Sequence, residues 1–203
     1  MKSLRLLILL VVFNCINSEI LSQPKKNLDI IRDLSVKNID SLMSQDYPFL
    51  GDTLNIRFIP SADSWIAENS IISRLNEKSR KHIIADTSNF SYPVLQFAIS
   101  DMSVKYGKVF YDGFLGPKKV TRSINLELSL KITSQGAIKI IDYLSQHNQD
   151  TVSYDSIHLL ENENVSSTKS SLPDETLIDR IISPVIITSS VAVIVYLFFT
   201  LRK

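Results

Sequence analysis

Cysteine is almost missing from this chain: 203 residues contain one, Cys15. One thiol excludes an intramolecular disulfide framework and a zinc site built on several thiolates. A charge excess of either sign is missing too, with 22 Lys plus Arg against 21 Asp plus Glu. Near-neutrality argues against a dedicated nucleic-acid binder, which carries a basic excess. No His-Glu-x-x-His, Gly-x-Ser-x-Gly, phosphate-binding Gly-Lys-Ser/Thr loop or calcium loop occurs. The hydrophobic share of 44% excludes a wholly disordered chain. The length allows one ordinary domain with accessory segments.

What the chain does have is two apolar ends. Lys2 and Arg5 precede the apolar run Leu6 to Phe13. This is the charged-then-apolar order of a secretory signal, and the run is too short to span a bilayer. Ser18 and Ser22 offer small residues for cleavage, and a cut after Ser22 makes residues 1–22 the signal peptide. Lipidation at Cys15 would need small residues just before it, where Val12, Phe13 and Asn14 stand.

At the other end, 181–201 carries no charge and is expected to form a transmembrane helix of about 31 Å at 1.5 Å per residue. Arg202 and Lys203 follow as a two-residue cytoplasmic tail, in line with the positive-inside tendency. The expected location is the cell membrane, single-pass, with the domain on the periplasmic side and the bilayer as a contact of 181–201. Residues 24–180 hold 18 basic and 20 acidic residues, so the basic excess belongs to targeting.

Between the ends, 23–160 reads as one exported domain, and 161–180 as a flexible Ser-rich linker. Leu28 to Met43 has apolar residues at three- and four-residue steps, predicting one helix or two broken near Ser35. Leu54 to Ile59 alternates as a strand, and a helix capped by Asp63 or Ser64 follows from Trp65. A short strand at His82 to Ala85 would complete a crossover unit. Leu95 to Ile99 alternates, shifts near Asp101 as at a bulge, and resumes. Ile124 to Thr133 is the clearest strand, with one dry and one wet face. Ser134-Gln135-Gly136 turns the chain into Ile138 to Leu144, and Val152 to Leu160 could add a last strand. The expected fold class is α+β: a mainly antiparallel sheet meander, two or three helices on one face, and the C-terminal transmembrane helix.

The candidate site is the loop 112–122, which holds Gly113 and Gly116 and then Lys118, Lys119 and Arg122. Those cations with Phe114 form a candidate partner- or anion-binding surface; a hairpin with solvated lysines is the plainer reading. His82, His147 and His158 lack a third ligand or an activated nucleophile, so neither a metal nor a cofactor is expected.

In layout, a signal ending in Leu21-Ser22-Gln23, one α+β domain, a Ser-rich linker and a terminal anchor resemble uncharacterised envelope proteins of Bacteroidota-type bacteria. The order of helices and strands is faintly similar to the N-terminal domain of the periplasmic assembly protein TolB. The expected function is a membrane-anchored, non-catalytic periplasmic binding or assembly module with an envelope protein as partner. The alternative is an envelope hydrolase whose site is assembled from distant residues.

Overall fold

A computed structural model describes residues 23–45, 47, 50, 53–77, 82–84, 92–113, 116–173 and 177–200. Residues 1–22, read above as a signal peptide, Phe114, Leu201 and the expected tail 202–203 lie outside the described residues.

Helix α1 (Asn27–Ser44) runs unbroken through Ser35, whose hydroxyl donates to the Ile31 carbonyl at 2.9 Å. Its buried stripe includes Ile31, Leu34 and Leu42. The next elements are β1 (Thr53–Phe58), α2 (Ser64–Glu77) and β2 (His82–Ile84). Three long strands follow: β3 (Val94–Tyr111), β4 (Lys118–Ser134) and β5 (Ala137–Ser153). The chain then makes 3-10 turns at 154–156 and 166–168 around a one-turn helix, α3 (Ile157–Leu160), and ends in α4 (Leu177–Thr200).

The five strands form one sheet in the order β2-β1-β3-β4-β5. The expected antiparallel meander is present only in β3-β4-β5. β1 runs parallel to both β2 and β3, so the sheet is mixed. The connection from β1 to β2 passes through α2, and a helical crossover returns the chain parallel. The hairpin turn falls where read, with Gln135 and Gly136 at φ 51° and 75°, the pair of positive φ values that tight hairpins favour. β5 runs on to Ser153, and a turn and short helix replace the expected last strand.

The core lies on the dry face. Leu95, Phe97, Ile124, Leu126, Leu128, Leu130 and Ile132 are fully buried there. They pack in one cluster with Ile31 and Leu34 of α1 and Ile66 and Ile71 of α2. Arg74 of α2 binds Asp40 of α1 through two hydrogen bonds of 3.0 Å. Asn38 of α1 is 1% exposed, and neither atom of its amide has a hydrogen-bond partner among the described residues.

Two sequence expectations are corrected here. Among the described residues no helix is long and apolar enough to cross a membrane. The transmembrane helix in the expected fold class is therefore not supported, and neither is the single-pass cell-membrane location with its bilayer contact. Second, 161–170 does not hang free. Val165 is 3% exposed and Thr168 fully buried, and the segment forms a strap pinned to the domain by hydrogen bonds.

Candidate functional site

β1 has six residues and β3 eighteen. Beyond Phe97, then, β3 has an edge that β1 does not cover. The loop after β1 and the strap 166–168 close over that edge, and a cleft of about 370 Å³ remains. The cleft is lined by Ser61 and Asp63 of the loop, Ile99 to Met102 of β3, and Ser166 and Ser167 of the strap. At its floor the register of β3 against β4 shifts between Ile99 and Asp101. Ser100 is the extra residue, and such bulges re-aim side chains at the edges of sheets.

Asp63 ties the loop to the strap. Its φ is 58°, a left-handed conformation that Asp tolerates better than most residues. Ser64 supplies the side-chain bond at the helix start instead, accepting the Ser61 N–H at 3.3 Å. That leaves the Asp63 carboxylate to accept the Ser166 hydroxyl at 2.8 Å and the Ser167 N–H at 2.9 Å. Partial burial works against its ionisation, but the bonds from Ser166 and Ser167 outweigh it and hold the carboxyl below its ordinary range. The second carboxylate of the cleft, Asp101, is exposed and accepts the Ser103 hydroxyl at 3.1 Å.

A depressed folded-state value means that this contact stabilises the fold fully above the unfolded pKa of about 3.9. The stabilisation is lost as pH falls through the lower, folded value. Amide exchange at Ser167 is accordingly expected to stay protected at neutral pH and to accelerate below about pH 4. An Asp63→Asn variant should show the faster exchange across the whole range. Protection that ignores both acid and the substitution would remove Asp63 as the latch.

A second polar cluster lies at the other end of the strap. Arg122 is 0% exposed. Its guanidinium donates to the two Asp150 oxygens at 2.8 and 2.5 Å. It also donates to the Lys25 carbonyl and to Asn27 Oδ1, both at 2.8 Å. The Asn27 amide donates in turn to Tyr106 Oη at 2.9 Å and to the Thr168 carbonyl at 2.8 Å. Burial raises the Tyr106 hydroxyl above the ordinary phenol range, against the lowering effect of the Asn27 bond. One buried cation thus joins the segment entering α1, strands β4 and β5, and the strap.

Among the described residues, the structure does not bring Lys118, Lys119 and Arg122 together. Arg122 faces the interior, Lys119 pairs with Asp112, and the Lys118 ammonium sits 5.9 Å from the centre of the Tyr154 ring. His147 and His158 are exposed on separate elements; the side chain of His82 is not among those described. Among the described residues no group of three His, Cys, Asp or Glu could hold a metal. The cleft was missed because two of its three walls are serine-rich stretches that read as loop and linker. The register shift near Asp101 was the one legible signal.

No family model matches the chain, and no curated protein matches it. Among solved structures, the crystal structure of a minor lipoprotein from Acinetobacter baumannii is similar with a TM-score of 0.34 and 12% identity, over 51% of this chain and 67% of that one. A likeness of that size carries no inference about function.

Proposed function

We propose that this chain is an exported envelope module that binds a partner without catalysing a reaction, and that the cleft beside the β3 bulge is its recognition site. Export is supported by Lys2, Arg5 and the apolar run Leu6 to Phe13. The observation that carries the binding reading is the lining of the cleft: two carboxylates, four serines and no basic side chain. Its volume is near the low end of ligand sites, about 300–1,000 Å³, which suits one side chain or a small head group. The complement of such a lining is a cation with several N–H donors, as a lysine or arginine side chain presents.

The test is calorimetric titration of the full chain with N-acetyl-lysine-methylamide. Binding is expected, and Asp101→Asn should weaken it at least tenfold, about 1.4 kcal/mol. Asp101 is the informative position because Asp63 also holds the strap. Heat that is absent, or unchanged in the variant, overturns the cleft as the site.

A further inference from the structure

The face of the sheet opposite the core carries an ordered pattern of charge. Strand register sorts its side chains into rows across the sheet. One row is Arg57, Gln96, Lys131 and Ile141. The next along the strands is Ala98, Ser129 and Tyr143, and the one after it is Asp101, Glu127 and Ser145. A cationic row and an acidic row therefore flank a row without charge. Ile141 and Tyr143 are 65% and 63% exposed on this face, while α1 and α2 pack into the core on the other side. Arg57, Lys131 and Glu127 form no ion pair with any described residue.

Asp101 and Glu127 stand directly opposite each other. Like charges in that position destabilise a sheet, and neither forms an ion pair with a described residue.

We propose that this face binds a second copy of the chain, sheet against sheet, about a two-fold axis lying along the Ala98–Ser129–Tyr143 row. Such an axis reverses the strand direction and keeps each strand over its own copy. The row two residues to one side of it then meets the row two residues to the other. Lys131 stands over Glu127 of the second copy, and Glu127 over its Lys131. Arg57, with its longer reach, comes beside Asp101 of the other chain. Tyr143 meets its own symmetry mate, and the exposed Ile141 is covered.

The contact is isologous, the commonest way for identical chains to associate. The spacing is compatible: facing sheets pack about 10 Å apart, a gap that long charged side chains can bridge at its rim. The charge pattern selects this occupant over an acidic or a basic partner, since it is complementary to itself and to neither of those.

The experiment is sedimentation equilibrium of the full chain with charge reversals. The wild type is expected to dimerise reversibly. Glu127→Lys alone, or Lys131→Glu alone, should weaken the dimer at least tenfold, because each places like charges together twice. The double variant should return to within about threefold of wild type, since reversing both rows restores the complement. In a Cys15→Ser background, Tyr143→Cys should give a disulfide-linked dimer on mild oxidation, as the axis passes between the two thiols. Monomer at all concentrations overturns the proposal, and so does a dimer indifferent to the single reversals, which would place the contact on α4 or on the free edge of β5. Single reversals that weaken the dimer without rescue in the double variant, or no crosslink at 143, overturn this axis. Asp101 belongs both to the cleft and to the acidic row, but Glu127 and Lys131 do not line the cleft, so reversals at 127 and 131 test the dimer without changing the cleft lining.

Discussion

An Asp150→Ala variant is expected to lose about 3–5 kcal/mol of folding stability, the usual result of leaving a buried charge without its partner. The reason lies in how unequally the pair is buried. The Arg122 side chain is fully enclosed, while that of Asp150 is 36% exposed. With the carboxylate gone, the guanidinium keeps, among the described residues, the Lys25 carbonyl and the Asn27 amide oxygen. Arginine cannot shed its proton to escape the charge. The reverse change should be milder. Arg122→Met keeps most of the volume, and Asp150 can turn to water; the loss is then about that of hydrogen bonds broken at a half-open site, roughly 1–3 kcal/mol. The ordering is the sharper statement. Combining Arg122→Met with Asp150→Ala should make the chain more stable than Asp150→Ala alone. Urea unfolding at neutral pH measures all three variants. A double variant less stable than Asp150→Ala would mean that the cation is not stranded and the account of the cluster is wrong.

Phe97→Ala is expected to cost about 3–5 kcal/mol, the range for emptying a large aromatic from a packed core. Phe97 is fully buried and stacks on Phe58 of β1 with ring centres 5.2 Å apart and planes 22° from parallel. Its carbonyl also accepts the Ile59 N–H at 2.8 Å, the last bond before β1 leaves the sheet. The void would therefore open where the short strand ends and the cleft begins. Ile59 should lose amide-exchange protection along with global stability. Phe97→Leu fills most of the space and should cost clearly less, within about 1.5 kcal/mol. If the two substitutions prove equally costly, loss of volume is not what Phe97→Ala measures.

Much of this architecture was legible along the chain. Five alternations from Ile124 to Thr133 fixed a strand with one dry face, because side chains in a strand point alternately to either side. The period of three and four in Leu28 to Met43 fixed α1 for the corresponding reason in a helix. Even the burial of Arg122 had a local signal. It shares parity with Val120 and Ile124 in β4, so a strand continued back through it must turn it to the dry face. The cluster of basic residues after a glycine loop drew the reading to the surface instead. The strap was misread for a different reason. Serine and asparagine have the same composition whether they swim in solvent or bond to a carboxylate, and only the position of Asp63, more than a hundred residues earlier, decides which.

The sequence by itself determined the local elements, the bulge near Asp101 and the tight hairpin at Gln135-Gly136, since these depend on neighbours a few residues away. Tertiary structure alone decided that β1 runs parallel beside β3, that β3 outruns β1 and leaves a cleft, and that Arg122, Asn27 and Asp150 meet. It also decided which charges share a row on the open face. Row membership follows from strand register, and register is a relation between distant segments that no single stretch of chain contains.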